Sequence, residues 1–445
     1  MIRHTILLFN FLIWCCVALQ AQPANTEKTV LTSGPMIGYC EMREAIIWIQ
    51  TNIPAKCHIR YWPEGVVNTV EKVFGETKVE YGNTLEFRLS NLQPGTTYAY
   101  EINVGGYLAF EGVNTFSTQP LWQYRTDPPE FTLATGSCAF INEAAFDRPD
   151  KPYGGGYEIF THMAAQKPDM MLWLGDNVYF REVDWTTRSG MIYRYTHSRS
   201  IAELQPLLKA CPQYAIWDDH DFGPNDSDGS FAHKKDALDV FNLFWANPGE
   251  GADGTDDIST QFTFGDIDFF LCDNRTHRIS HQVKGQEAAI LGKEQCDWLI
   301  QALKYSKAPF KIVAMGGQFL NPVAKYENYA NWVDERNYLL NAISDNNITG
   351  VVFLTGDRHC TELSKLDLAE QLPVYDLTVS PLTSSAYDNT NEENSLRVKG
   401  TLVPERNFAT LKFSGPRKAR VLTIQVFNNQ GKELWQQVIS APASN

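Results

Sequence analysis

Four apolar runs in this chain stop on side chains that can bind cations or move protons. "FTLATGSC" reaches Cys138, and "DMMLWLGDNVY" sets Asp176 and Tyr179 just beyond Gly175. "YAIWDDHD" delivers Asp218, Asp219 and His220, and "VVFLTGDRH" ends on Asp357 and His359. A buried carboxylate is costly unless it is paired or holds a metal ion. If the four strands are neighbours in a sheet, groups far apart in sequence converge on one small volume.

The donor types then point to particular ions. Cys thiolate, Tyr phenolate, carboxylate and imidazole, from Cys138, Tyr179, Asp176 and His359, suit a strongly Lewis-acidic ion such as Fe(3+). Asp176, Asp219 and Asp357 by themselves offer only oxygen, which suits a hard divalent cation such as Ca(2+), with other divalent ions as alternatives. Asp176 has two oxygens and can bridge. Two cations a few ångström apart clamp an in-line displacement and acidify a bound water. Singly, "GSC" and "GDRH" read as ordinary strand-end turns. The four consecutive ionisable residues after Ala215-Ile216-Trp217 are more informative, and the ordered set is more informative still.

These ends need strands to carry them. From about Thr29 to Thr118 the chain reads as short alternating strands, "AIIWIQTN", "KCHIRYWP", "TLEFRLSNL" and "TTYAYEINV", with turns at "NIPA" and "LQPG", the pattern of a small β-sandwich. Tyr98 stands where such sandwiches place a corner tyrosine, and Trp48 and Trp62 read as core. After "STQPLWQYRTDPPE", strand-like and helical runs alternate, including one long helical stretch from about Thr187 to Cys211. Such alternation predicts a layered α/β domain with its chemistry at strand carboxyl ends. "RVLTIQVFNNQGKELWQQVIS" predicts a final hairpin completing a sheet. "PYGGGYEIF" lacks the lysine and glycine spacing of a phosphate loop, and its glycines are expected to form a flexible rim.

The totals narrow the class. With 445 residues, 43% hydrophobic and 20% charged, the chain fits two globular domains better than one. Its 38 basic and 52 acidic residues give a net charge of −14, which argues against specific nucleic-acid binding. Residues 1–21 read as a signal peptide: Arg3, an apolar run from Ile6 to Leu19, then Ala21 before Gln22. The run is too short to span a bilayer, for which roughly 20 residues are needed, so an exported, periplasmic or extracellular protein is expected, without a transmembrane segment after cleavage. Of 9 cysteines, Cys15 and Cys16 fall in the leader. Cys40 and Cys57 share the early β-rich region and could pair.

The ordered set "GSC", "GDNVY", "WDDHD", "DNRTHR" and "GDRH" resembles the alkaline phosphatase D branch of the calcineurin-like metallophosphoesterases. The resemblance implies a four-layer αββα metallophosphoesterase sandwich, over residues 130–440, preceded by a small all-β fibronectin type III-like domain over residues 29–118. It implies a phosphomonoesterase or phosphodiesterase with one ferric ion and calcium; a monomer that hydrolyses phosphate mono- or diesters with a metal-bound hydroxide at a binuclear site is expected. Carried over by motif, Cys138, Asp176, Tyr179 and His359 would hold iron, and Asp176, Asp219 and Asp357 the second metal, with Asn225 a further ligand. His220 would assist the leaving oxygen. Arg275, Arg181 and Asn177 are candidates for the substrate phosphate, since a guanidinium can engage two of its oxygens. Gln318 stands where many relatives have histidine, which favours an oxygen-rich second site. Two rivals are a purple acid phosphatase type, which would want "GNH" in place of "DDH", and a non-catalytic exported binding protein.

Overall fold

The computed structural model describes residues 29–66, 69–252, 254–369 and 372–442. The expected leader, residues 1–21, lies outside the described residues.

The early strands form two small sheets. β1 (Leu31–Cys40), β2 (Glu44–Thr51) and β5 (Thr84–Ser90) make one, and β3 (Lys56–Pro63), β4 (Glu71–Glu76), β6 (Thr97–Val104), β7 (Tyr107–Leu108) and β8 (Asn114–Ser117) the other. Ile47, Phe87 and Leu89 from the first share a core with Ile59, Tyr100 and Ile102 from the second. The Tyr98 hydroxyl accepts the Gln93 amide proton at 2.8 Å, closing the corner expected there. Trp48 is fully buried, but not in that core: its indole donates to the Leu243 carbonyl at 2.8 Å and its ring lies 5.8 Å from Phe244.

Two six-stranded sheets follow. The first runs β11 (Gln213–Ile216), β10 (Met170–Leu174), β9 (Phe131–Gly136), β18 (Asn407–Ser414), β19 (Val421–Asn428), β20 (Glu433–Ser440). The second runs β12 (Thr260–Phe264), β13 (Ile267–Leu271), β14 (Lys311–Ala314), β15 (Val351–Thr355), β17 (Pro373–Thr378), β16 (Glu362–Asp367). β9, β10 and β11 pair in parallel, as do β13, β14, β15 and β17. The central strands are buried throughout, which is why they read as continuous apolar runs.

Leu133, Leu172 and Ile424 of the first sheet share one core with Ile312, Leu354 and Leu377 of the second. α1 (Glu158–Ala165), α2 (Arg188–Arg199), α3 (Gln205–Ala210), the short α4 (Asp219–Phe222) and α5 (Lys234–Phe244) contribute Phe160, Met191, Leu207, Phe222 and Phe241 to that core. α6 (Lys293–Tyr305) and α7 (Val333–Asp345) pack Leu299, Leu303, Leu339 and Ile343 with Val313 and Phe353 of the second sheet. The result is the expected mixed α/β sandwich with an all-β region ahead of it. The hairpin β19–β20 completes the edge of the first sheet, as its sequence predicts.

Three local expectations are corrected. The helical stretch from Thr187 breaks after Arg199: Ile201 is extended, a single 3-10 turn follows, and α3 restarts with Pro206 in its first turn, where a missing amide proton costs least. The "PYGGGYEIF" glycines allow close packing. A Cβ on Gly154 would sit 2.3 Å from the Phe140 carbonyl oxygen, and Gly154 exchanges two hydrogen bonds with the Asn142 side chain. Cys40 and Cys57 remain separate thiols on opposite sheets, with Cys40 donating to the Ser117 carbonyl.

Candidate metal centre

The polar strand ends meet, but across two sheets. β9, β10 and β11 deliver Cys138, Asp176 and Asp219 from the first sheet, while β15 delivers Asp357 and His359 from the second. Ligand atoms of Cys138, Asp176 and His359 lie within 4.8 Å of one another, as do those of Asp176, Asp219 and His220. Asp176 belongs to both groups, the geometry required of a bridging carboxylate.

Each strand ends by a sharp reversal. Cys138, Asp176, Asp357 and His359 have φ of 62°, 52°, 63° and 53°, a left-handed conformation that costs an L-residue roughly 1–2 kcal/mol. Such outliers persist only where surrounding structure enforces them. Here the ends bind one another: Cys138 and Ala139 amides donate to the carbonyls of Gly175 and Asp176, at 3.2 and 2.8 Å. Gly175 is demanded twice, by its φ of 88° and because a Cβ there would lie 2.8 Å from that of Asp218.

Around Asp176 the donors are close. Cys138 Sγ lies 3.5 Å and the Tyr179 hydroxyl 3.1 Å from its Oδ2, and that hydroxyl is 3.4 Å from His359 Nε2. His359 Nδ1 lies 2.6 Å from the Ser385 carbonyl. That partner can only accept, so Nδ1 carries the proton and Nε2 turns a lone pair to the cluster, the usual arrangement of a ligating imidazole. Burial depresses His359 to about 4, which keeps it neutral. Ser380 ties the two strand ends together: its hydroxyl donates to Cys138 Sγ at 3.2 Å and accepts the His359 amide at 3.0 Å.

The electrostatics call for cations. Burial, then neighbouring carboxylates, push the Cys138 thiol and the Tyr179 phenol well up, and raise Asp176 and Asp357 well above the carboxylate range. For Asp219 burial pushes upward, but His220, Arg275 and the Asp226 amide outweigh it and hold it well below that range. A thiol, a phenol and three acids that repel one another in a buried site fit bound cations as their compensation. Asp218, Asp219 and Glu327 form a third close group, and Asp218 Oδ2 is buried without a hydrogen-bond partner.

The remaining sequence candidates fare unevenly. Asp357 is half-buried and, among the described residues, joins no close ligand group, although the fields of Asp218, Glu327 and Asp219 act on it. His220 is half-buried with its ring 4.2 Å from that of Tyr179. Asn225 is exposed; its loop reaches Asp219 through the Asp226 amide, at 2.7 Å. Asn177 turns its amide nitrogen to the Ile216 carbonyl at 2.7 Å, locking β10 to β11.

Both arginines pair with carboxylates in this geometry. Arg275, fully buried, pairs with Asp218 and Glu327 and donates to the Ser227 carbonyl. Arg181 pairs with Asp147 at 2.7 Å, bonds the Tyr179 and Ile141 carbonyls and covers the Phe140 ring. Gln318 is no ligand either: Glu362, Thr378, Asn321 and Arg358 use its amide.

Sequence reasoning missed several supports. Asp221 accepts the backbone amides of Asn177, Val178 and Asp218, welding the β10 and β11 ends; the signal was present in the run of four ionisable residues. Tyr153 lies 3.4 Å from His359 Nδ1, with its ring edge-on to Phe140 and Tyr179. Glu327, Ser380 and Ser385 sit in loops without any pattern that would single them out.

Comparison with known proteins agrees with this architecture. The family model described as PhoD-like phosphatase matches residues 133–426, and a domain of unknown function, DUF7800, matches residues 28–116. Alkaline phosphatase D of Bacillus subtilis (strain 168) is 24% identical over 338 residues, which cover 65% of this chain and 55% of that protein. The chain thus spans about half the length of that curated relative. In fold, it is similar to a solved structure of PhoD, with TM-score 0.73 and 18% identity over 93% of this chain and 92% of that one. It is also similar to purple acid phosphatase PPD1 from yellow lupin (Lupinus luteus) seeds, with TM-score 0.63 and 11% identity over 91% of this chain and 74% of that one. With a family match spanning most of the two-sheet sandwich and its converging strand ends, the chain belongs to the PhoD-like phosphatase family.

Proposed function

We propose that this chain hydrolyses phosphate mono- or diesters at the cluster centred on Asp176. The observation that carries the reading is the sharing of Asp176 between two close ligand groups, one with sulfur, phenol and imidazole beside it and one with carboxylate. Cys138, Tyr179, Asp176 and His359 would hold a ferric ion; Asp176, Asp219 and Asp357 a calcium or similar divalent ion, completed by the 225–226 loop. Bound there, the two cations would supply Lewis acidity and a strongly acidified water.

The chain's own groups do the rest. Asp219, held well below the carboxylate range by His220, Arg275 and the Asp226 amide, brings negative charge to the site. His220, at the half-buried mouth against Tyr179, is the group to protonate the departing alcohol oxygen. Arg275 acts as a positioning residue: paired with Asp218 and Glu327, it fixes the loop that carries Asp219. Arg181 does the same for Tyr179 by holding its carbonyl.

The wider reading treats residues 29–118 and 130–440 as two domains of a monomeric, exported protein, periplasmic or extracellular. Its support is the leader-like sequence of residues 1–21, and among the described residues no helix is long and apolar enough to cross a membrane. Metal analysis of purified protein, with turnover of p-nitrophenyl phosphate and bis-p-nitrophenyl phosphate, tests the proposal. Iron and a divalent ion with turnover of either ester are expected; metal-free protein that stays inert after iron and calcium are added would end it.

A further inference from the structure

The opposite end of the sheets holds a second feature. Where β13, β14 and β15 begin, a groove of about 800 Å³ is lined by Lys304, Lys307, Lys311, Arg417, Lys418 and Arg420, against only Asp266 and Asp268. This surplus of four positive charges stands on a chain whose net charge is −14.

The two carboxylates do not balance it. Asp266 is taken by Arg420 at 2.9 Å, and Asp268 by hydroxyls of Ser306 and Thr263. Lys304 has an ordinary explanation in the last turn of α6, bonded to the Asn346 carbonyl. The others do not. Lys311 is buried with only the carbonyls of Ala308 and Thr349 as hydrogen-bond partners, and among the described residues Lys307, Arg417 and Lys418 make no ion pair with a carboxylate. A concave, low-dielectric wall with charge of one sign focuses its field outward.

Aromatic groups line the same groove. The Arg417 guanidinium lies 5.3 Å from the Trp122 ring, and Tyr124, 96% exposed, projects from the adjoining loop. Cations spread along an open channel track the backbone of a flexible chain of anionic groups better than they clasp a single compact anion.

We propose that this groove binds an extended polyanion, a linear polymer bearing regularly spaced phosphate or sulfate groups. It lies at the start of β15, whose far end carries Asp357 and His359, and does not depend on catalysis there.

Anisotropy of labelled inorganic polyphosphate tests it on the full chain, with heparin as a sulfated competitor. Binding is expected at about 50 mM salt, weakening about tenfold or more by about 300 mM. Lys307→Glu with Lys418→Glu should weaken it by about tenfold or more with an unchanged thermal midpoint. Lys293→Glu, on the distant start of α6, should leave it intact. Absence of binding at low salt, equal binding by the double variant, or competition by anionic phospholipid vesicles but not by heparin, would each overturn the proposal.

Discussion

At the residue scale the site is a problem in charge. Asp176 is buried and surrounded by Asp219, Asp218, Asp221 and Asp357, so without cations its ionisation is opposed from several sides. Asp176→Asn should therefore stabilise the protein in excess chelator, by about 1–2 kcal/mol, yet destabilise it when metals are present. Thermal midpoints measured both ways give the sign. Tyr179→Phe removes the phenol beside Asp176 Oδ2; in iron-loaded protein a visible tyrosinate-to-ferric band is expected to vanish with it, as an absorption spectrum would show. Asp221→Ala leaves the Asn177, Val178 and Asp218 amides unsatisfied in a buried turn, a loss of about 1–3 kcal/mol readable by urea denaturation, with turnover falling because the two strand ends separate.

Elements convert those residues into a site through backbone reversals. Gly175→Ala meets both a φ of 88° and the Asp218 side chain, so a cost of about 2 kcal/mol or more is expected, measured as a shift in denaturant midpoint. Glu41 shows the same coupling of burial to charge in the small sandwich, just after β1. Burial lifts it to about 7, while Gln119 donates to it at 3.0 Å. Because its folded pKa exceeds the unfolded value, its contribution is complete below about pH 4.5 and fades as pH rises through about 7. Glu41→Gln should flatten that part of the stability profile and raise stability at pH 8.

For the whole molecule, the question is why the small sandwich is there. Trp48, on β2, leaves its own core to pack with α5, under the guanidinium of Arg199. Met36, Tyr39 and Ile46 join the same large core as the two six-stranded sheets. Trp48→Ala should cost about 3–5 kcal/mol and, by loosening this junction, split thermal unfolding into two transitions in calorimetry.

The sequence by itself determined the strand ends, the two textures of the chain, the corner tyrosine and the final hairpin. Each is a local pattern: an apolar run, an alternation, a Pro-Gly turn. It also identified Cys138, Asp176, Asp219 and His359 as groups too costly to bury alone. What it left open was relational. Arg275 and Arg181 carry the same motif whether they face a phosphate or a carboxylate, and their pairing with Asp218, Glu327 and Asp147 depends on groups placed by other loops. The long helix from Thr187 broke after Arg199, and α3 restarts with Pro206 in its first turn. Most of all, β9, β10 and β11 proved neighbours while β15 came from a facing sheet. Strand order depends on long-range pairing and on cores shared between layers, and no local pattern of residues encodes that.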